Sequence, residues 1–223
     1  LTALAAPDPW PSLEGDSAPA LNSPALQLAP NTIITVTSTT DPNDSKSETC
    51  DSDAPCTLRR ALVQAQGLSA GERPVLIAFD LDTDDPGYDS ANEVWIIQAI
   101  DTLENEAFPQ LEGGQIILDG TTQAIGRALS EGPRIVLRGG NTGTKRGFVV
   151  DGDENEIRGF AFQDLREMII LNASNNTVED NWFGLSIDGT DFNQRTGFFS
   201  DGSGQSGVFA GSGSNGNLIQ NNA

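Results

Sequence analysis

Apolar residues in this chain occur in short runs that are rich in β-branched side chains and are separated by stretches of Gly, Asn and Asp. Branched Cβ atoms favour extended backbone, whereas Gly, Asn and Asp favour turns. The pattern therefore predicts many short β-strands, which are typical of a solenoid in which the chain turns a corner every few residues. The predicted strands are 32–37, 75–79, 94–97, 115–118, 134–137 and 148–150.

One segment, 57–67, has a helical period instead. Thr57 is suited to cap the helix at its start, and Gly67 is suited to end it. The predicted helix is amphipathic, and its apolar face is expected to cover the open hydrophobic end of a β structure. That face consists of Leu58, Ala61, Leu62 and Ala65.

An internal repeat relates residues 148–162 to residues 169–183 at an offset of 21 positions (169 − 148), with apolar residues matching apolar ones. The repeat aligns Asn155 with Asn176 and Ile157 with Val178. A third copy ends with 217–222, and an insertion between Gly184 and Ser206 accounts for its larger spacing.

Such a repeat predicts turns of chain that stack in parallel, because one turn cannot bury its own apolar face. The Asn residues are expected to adopt the left-handed conformation at equivalent corners and to bond along the stack. The predicted inward-facing residues are Val149, Ile157, Phe162, Ile170, Val178 and Phe183.

The first thirty-one residues form a separate block, in which prolines at six positions exclude a helix and a regular strand. We interpret residues 1–31 as an extended arm or linker, followed by a β domain over 32–223 with its cap in 32–67 and its repeats in 74–223. Leu21, Leu26 and Leu28 give the arm apolar surface. It is either a plain linker or a strap that docks on its own domain or on a neighbouring molecule.

Charge and composition exclude several functions. Twelve basic and 32 acidic side chains give a formal net charge of −20, which disfavours nucleic acid and anionic lipid as partners. No apolar run is long enough to span a bilayer as a helix. Histidine is absent, which removes mechanisms with an imidazole base and His-rich zinc sites.

Cys50 and Cys56 lie six positions apart in a polar, acidic segment. Two thiols without histidine cannot complete a tetrahedral zinc site. They are either free thiols in a reducing compartment or a short-loop disulfide in an oxidising one, and the disulfide is the better fit. It favours an extracellular location, with any secretion signal removed or not included in the sequence.

Three segments carry a resemblance to a known family. The stretch 50–62, preceded by the strand 32–37, resembles the CSLREA-type N-terminal region of secreted bacterial β-helix proteins of the pectin-lyase-like superfamily. Segments 117–124 and 176–190 are similar to later elements of such proteins, and the likeness covers roughly 32–223. It implies an all-β fold, a right-handed parallel β-helix with an N-terminal capping α-helix. Arg60 departs from the family pattern, because a Glu there would complete a capping box.

The function we predict is that of a non-catalytic extracellular structural β-solenoid. The repeat at 217–223 shows no covering helix and no charged or Pro-rich strand, so either more chain follows or the rung is completed by something else. An uncovered rung is a template for strand pairing. We expect Leu218 and Ile219 to take part in head-to-tail self-association into a filament, with the arm strapped across the joint.

The competing hypothesis is a surface protein that binds or cleaves polysaccharide, or the N-terminal part of a larger adhesin. Trp182 precedes a core position and so faces outward, where it can stack on a sugar ring. The other aromatic candidates are Trp10, Trp95, Phe198 and Phe199. The acidic pairs match no motif of a lyase or a glycosidase, so no enzymatic activity and no catalytic residue are predicted.

One acidic stretch is a candidate for structural calcium, the only cofactor considered. It offers several oxygen ligands in a turn-rich segment, although its spacing is not that of an EF-hand. A solvated acidic loop is the alternative. The candidate ligands are Asp80, Asp82, Asp84, Asp85 and Asp89.

Overall fold

The computed structural model of the protein describes residues 29–41, 48–50, 55–99, 106–139, 145–191 and 206–223. These residues form a mostly β structure with parallel sheets and one α-helix, α1 (Leu58–Gly67). Three short 3₁₀ turns cover Ala70–Glu72, Gly120–Thr122 and Leu129–Glu131. The strands are β1 (Thr32–Val36), β2 (Val75–Phe79), β3 (Tyr88–Asp89), β4 (Val94–Gln98), β5 (Ile116–Asp119), β6 (Ile135–Arg138), β7 (Phe148–Val150), β8 (Glu156–Arg158), β9 (Phe160–Gln163), β10 (Glu167–Leu171), β11 (Thr177–Glu179), β12 (Trp182–Phe183), β13 (Ser206–Ala210) and β14 (Leu218–Gln220).

The strands belong to three sheets. The six-stranded sheet has the order β1-β2-β5-β8-β11-β14, the five-stranded sheet β12-β9-β6-β4-β3, and the three-stranded sheet β13-β10-β7. Strand pairs are parallel, except that β3 runs antiparallel to β4. From β8 onward the chain visits the three sheets in turn, one strand in each, so consecutive turns of chain pair with one another.

The register confirms the repeat found in the sequence. Ile157 pairs with Val178 and Phe162 pairs with Phe183, at the predicted offset. Val178 in turn pairs with Ile219 across the predicted insertion. Residues 192–205 of that insertion lie outside the described residues.

The core lies between the sheets and takes alternate residues of each strand. Ile157, Phe162 and Val178 belong to it, as predicted. Val149 and Ile170 were wrong as core positions: they are buried but lie outside the core cluster, which takes Phe148, Val150, Ile169 and Leu171 instead. The reason is the two-residue period of a strand, which turns the neighbours of an inward side chain outward.

A second, smaller apolar cluster lies on the outer side of the five-stranded sheet. Val94, Val136 and Ala161 are fully buried there. Trp182 and Ile187 pack against them from outside. Loops that follow the strands therefore fold back over this face.

A ladder of asparagine side chains joins successive turns. The Asn155 N–H donates to Oδ1 of Asn176 over 2.8 Å, and the Asn176 N–H donates to Oδ1 of Asn217 over 2.8 Å. The left-handed residues are those just before the ladder positions, Glu154, Asn175 and Gly216, and not the ladder asparagines as predicted. The corner needs one left-handed residue. The side chain of the next residue then points inward, where its Oδ1 atom accepts a backbone N–H of the neighbouring turn.

Helix α1 forms where it was predicted. The Thr57 hydroxyl accepts the Arg60 N–H over 3.3 Å, so the N-cap forms although Arg60 removes the capping box. All four residues of its apolar face are buried. At the other end, Arg73 reaches over to donate to the Ala65 carbonyl over 2.7 Å. Gly67 is the last helical residue.

Predicted strand boundaries agree with the structure to within a residue, and one of the one-residue shifts has a visible cause. Gln115 was predicted as the start of a strand but has a positive φ of 50°, so β5 begins one residue later. Residues 1–28 of the predicted arm lie outside the described residues, as do Leu21, Leu26 and Leu28.

Candidate functional site

The predicted calcium ligands do not converge. The Asp85 carboxylate accepts the Thr39 N–H over 3.1 Å and the Gly87 N–H over 2.9 Å. The Asp89 carboxylate accepts from the Asn92 side chain over 2.7 Å, and this bond is the main cause of its lowered pKa. Both carboxylates thus hold local turns together.

The other three calcium candidates, Asp80, Asp82 and Asp84, do not form a metal site either. The Asp80 N–H donates to the Val36 carbonyl of β1, and the Asp82 carbonyl accepts the indole N–H of Trp95. Asp84 is exposed. Within the described residues, no three His, Cys, Asp or Glu side chains come together as a metal site. Calcium binding stays a prediction.

Trp95, another aromatic candidate for sugar stacking, is fully buried in the core, and Trp10, Phe198 and Phe199 lie outside the described residues. Its ring packs against Tyr88 at a centroid distance of 4.8 Å, and its indole N–H is bonded as above. Trp95 is therefore wrong as a surface platform. Side chains alternate along a strand, so Trp95 points inward while its neighbours Val94 and Ile96 face the outer cluster.

Trp182 lies on the outer face, as predicted, and lines a groove. The volume of this groove is about 430 Å³. We define it as the outer groove, lined by Thr121, Leu129, Ser130, Gly132, Pro133, Gly159, Asp180, Trp182 and Asn221. It runs along the corner between the six-stranded and the five-stranded sheet.

The Trp182 ring is held firmly in this groove. Its far edge lies so close to Gly132 and Gly189 that a Cβ atom on either glycine would collide with it. The Arg127 guanidinium stands over the ring, 5.2 Å from its centroid. Arg127 also donates to the carbonyls of Pro133 and Ile187. The ring is thus a fixed wall, half-buried, with part of its surface left for the groove.

Asp180 supplies the one charged side chain among the groove residues. Partial burial, followed by repulsion from Glu179, raises the pKa of its carboxyl. The φ of Asp180 is 54°, in the left-handed region, which places it at the corner between β11 and β12.

A charged cluster lies on the outer face of the six-stranded sheet beside this corner. Arg158 donates to Asp119 over 2.7 Å, forms an ion pair with Glu156, and lies 3.8 Å from Glu179. Burial, and next the charges of Glu179 and Asp119, raise the pKa of Glu156 against the pull of Arg158. The cluster ties three consecutive turns of chain together.

A second cavity of about 450 Å³ lies near β3 and β4 and includes Asp41, Asp89 and Arg138 in its lining. Asp41 is occupied by Arg59, which donates to both of its carboxylate oxygens over 2.6 and 2.8 Å. This ion pair joins the segment that follows β1 to helix α1, so we assign the ion pair to the cap.

The last rung described, β13 and β14, is open. Phe209, Leu218 and Ile219 are exposed by 53%, 42% and 48%. Ile33, on the first strand of the same six-stranded sheet, is exposed by 61%. The predicted assembly residues Leu218 and Ile219 therefore lie at an edge that no described residue covers.

Cys50 and Cys56 form the predicted disulfide. Among the residues that the structure describes, no helix has the length and apolarity needed to cross a membrane. Sequence reasoning did not identify Asp180, Arg127 or the cluster around Arg158. The 21-residue offset carried a signal for Arg158, since it places Glu179 directly beside it in the stack.

Comparison with protein-family models, with curated proteins and with solved structures finds no match to this chain.

Proposed function

We propose that this protein is a non-catalytic structural β-solenoid, a right-handed parallel β-helix of the secreted CSLREA type, that associates head-to-tail outside the cell. The observation that carries the proposal is that β1 and β14 are the two edge strands of one parallel sheet. A second copy placed with its β1 against β14 extends the same sheet in the same direction.

The β-helix part of the proposal is supported by the order in which the chain visits its sheets. From β5 onward each complete turn adds one strand to each of the three sheets, and the turns that carry β7–β9 and β10–β12 stack at an offset of 21 residues. Parallel crossover connections are right-handed in about 98% of cases, which favours a right-handed coil.

The residue columns of the six-stranded sheet favour one register for the joint. Ile33 and Leu218 stand in the same outward column, which runs through Leu76, Ile117, Glu156 and Thr177. Ile34 and Ile219 stand in the same core column. Pairing Leu218 with Ile33 therefore also pairs Ile219 with Ile34 and polar Gln220 with polar Thr35.

Other registers are disfavoured for a physical reason. A slip of one residue turns Ile219 to the outer face, because side chains alternate along a strand. A slip of two residues would put Gln220 opposite Ile33 and would leave Leu218 without an apolar partner.

The edge of β1 is open where this pairing needs it. On the side away from β2, Thr37 and Ser38 bond to Cys56, but the described residues offer no such partner to the backbone of Ile33–Val36. Because α1 covers the core beside β1, the joint continues the sheet and does not stack one core on another.

The joint is expected to be weak for a single contact. Three exposed apolar side chains meet at the joint, Ile33, Leu218 and Ile219. Burying a side chain of this size contributes about 1.5–3 kcal/mol. Association costs about 4–15 kcal/mol in lost translational and rotational freedom. Assembly should therefore depend steeply on protein concentration. The disulfide supports the extracellular part of the proposal, since disulfides persist in oxidising compartments.

Cysteine cross-linking tests the joint directly. The double variant Ile33→Cys/Leu218→Cys should form a ladder of disulfide-linked oligomers under mild oxidation, visible on a non-reducing gel. The matched control is Ile125→Cys/Leu218→Cys, because Ile125 is exposed by 51%, against 61% for Ile33, but lies on a loop outside both edge strands.

Two outcomes would contradict the proposal at different levels. If the unmodified chain sediments as a monomer at millimolar concentration, self-association itself is wrong. If Leu218→Cys alone forms disulfide-linked dimers as readily as the double variant forms oligomers, the open rungs pair tail-to-tail and the head-to-tail register is wrong.

A further inference from the structure

One asparagine of the last described rung is followed by glycine. Asn215 and Gly216 are the only Asn-Gly pair in the sequence. Both residues are exposed, at the corner that precedes β14. Among the described residues, the Asn215 side chain has one hydrogen-bond partner, the Gly213 carbonyl, to which its Nδ2 atom donates over 2.9 Å. The side-chain amide is therefore accessible to water and adjoins a residue that has no side chain to hinder it.

The main-chain nitrogen of Gly216 lacks a partner that its counterparts in the stack have. At the same corner of the two preceding turns, the left-handed residue donates its N–H to the next turn. The Glu154 N–H donates to the Ser174 carbonyl over 3.1 Å, and the Asn175 N–H donates to the Asn215 carbonyl over 2.9 Å. Gly216 continues this column with a φ of 67°, and no described residue accepts its N–H.

Other glycines that follow an acidic residue are more constrained. The described residues contain three Asp-Gly pairs, Asp119-Gly120, Asp151-Gly152 and Asp188-Gly189. The N–H groups of Gly152 and Gly189 donate to main-chain carbonyls over 2.8 and 2.9 Å. Asp119 is buried, and its carboxylate accepts from Arg158 over 2.7 Å. An exposed side-chain amide beside a glycine N–H without an acceptor thus distinguishes the corner before β14.

We infer that Asn215 is a modification site, at which water converts the side-chain amide to a carboxylate through a cyclic imide formed with the Gly216 nitrogen. This nitrogen attacks Cγ of Asn215, so the N–Cγ bond forms and the Cγ–Nδ2 bond breaks. The amide leaves as ammonia and takes the proton of the Gly216 N–H. Water then opens the imide at Cγ, which gives aspartate, or at the main-chain carbonyl carbon, which gives isoaspartate.

The two products affect the last rung differently. Aspartate leaves the main chain unchanged and suits this column, where Oδ1 of Asp153 accepts the Ser174 N–H over 2.7 Å. Isoaspartate routes the chain through the side chain and lengthens it by one carbon–carbon bond, about 1.5 Å. The 2.8 Å bond from the Asn176 N–H to Oδ1 of Asn217 then no longer fits the register of β14. Isoaspartate should therefore loosen β14.

Imide formation does not depend on self-association, because both residues belong to one copy. One consequence rests on the proposed function. In the proposed register, Leu218 lies opposite Ile33, so Gly216 lies opposite Asn31 of the next copy. By the bonding pattern of the preceding turns, the Gly216 N–H then donates to the Pro30 carbonyl of that copy. Assembly should therefore slow the conversion.

The double variant Ser174→Asn/Asn175→Gly is the matched control. It introduces a second Asn-Gly pair one turn below, also followed by asparagine, at the corner where the Asn175 N–H is bonded. Trypsin separates the two pairs, since Arg195 lies between them. The full chain is incubated at neutral pH and low concentration, and mass spectrometry of the digest measures the conversion of each pair in the same sample.

We expect Asn215 to convert at least about fivefold faster than the introduced pair, the factor that one backbone hydrogen bond contributes. In concentrated urea the two pairs should convert at the same rate, because neither N–H is then bonded. Equal rates in the folded chain, or no conversion at Asn215, would overturn the inference.

The original chain supplies a second measurement, which does not depend on the folding of the variant. Asn215 should convert in the folded chain within about fivefold of its rate in urea, since the fold leaves the reacting groups open. A larger slowing would overturn the inference. If the conversion is as fast at millimolar as at micromolar concentration, the head-to-tail joint is wrong and the modification site stands.

Discussion

The two ends of the six-stranded sheet are built from the same column of core residues but are finished differently. At the β1 end, Ile34 is exposed by 4%, because helix α1 lies over it. At the β14 end, Ile219 in the same column is exposed by 48%. Among the described residues, helix α1 covers one end of the core column and none covers the other.

The closed end needs several separate devices. Its helix has an apolar face of four buried residues, a capping threonine and an arginine at its last turn. Arg59 ties it to Asp41, and the disulfide lies just before its first residue. At the other end, the described residues include no such cap, and Leu218 and Ile219 are exposed.

The largest expected difference between the ends is in the cost of truncating a core side chain. Leu62→Ala removes a fully buried side chain under the cap and should lower the free energy of unfolding by about 2–5 kcal/mol. Ile219→Ala removes a half-exposed side chain and should cost below about 1 kcal/mol. Urea denaturation at low protein concentration measures both.

Protein concentration provides the control for this pair. If β14 pairs with another copy, the cost of Ile219→Ala should rise with concentration and that of Leu62→Ala should not. Equal costs at low concentration would mean that the rung is already covered in the isolated chain.

The elements of the fold were predictable because each rests on a local period. The spacing of Leu58, Ala61 and Leu62 predicts the helix, and the match of 148–162 with 169–183 predicts the stacking. Neither inference requires knowledge of what the loops do.

What failed in the sequence analysis depends on the loops or on one-residue detail. Whether an outward aromatic is a free platform depends on what folds over it, and the loops that carry Gly132 and Gly189 pack against the Trp182 ring. The left-handed residues were misplaced by one position, since Asn175 and Asn176 are both suited to a turn. The Asp80–Asp89 stretch is rich in carboxylates, but spacing alone does not tell a metal site from a set of turn caps.

A smaller difference is expected between matched positions of the asparagine ladder. Asn155 accepts one N–H, from Ile116, and donates to the Gly152 carbonyl. Asn217 likewise accepts one N–H, from Asn176, and donates to the Ala173 carbonyl. Asn155 is buried whereas Asn217 is partly exposed.

Because water can replace a lost acceptor only where it reaches, Asn155→Ala should cost about 1–3 kcal/mol and Asn217→Ala below about 1 kcal/mol. Thermal unfolding of both variants measures the difference. Similar losses for the two would show that the open rung excludes water in solution, which implies a covering partner.

The smallest expected effect lies where the outer column of the same sheet changes from apolar to charged. Ile117 is buried on this face, and the next residue of the column is Glu156, whose pKa is raised by burial. The folded protein thus binds the Glu156 proton more tightly than the unfolded chain does. The stability that this carboxyl contributes is therefore fully present below its ordinary pKa of 4.5. It is lost as the pH rises through the raised pKa of the folded protein. Glu156→Gln cannot ionise, so its stability relative to the original protein should increase by less than about 1 kcal/mol across that window and then stay level.

Chemical denaturation at a series of pH values from 4 to 8 measures this difference. Thr177→Val, at the next position of the column, is the matched control, because neither side chain titrates and its offset should be independent of pH. If the relative stability of Glu156→Gln falls as the pH rises, the ion pair with Arg158 outweighs burial, and the charged half of the column stabilises the sheet as effectively as the apolar half near β1.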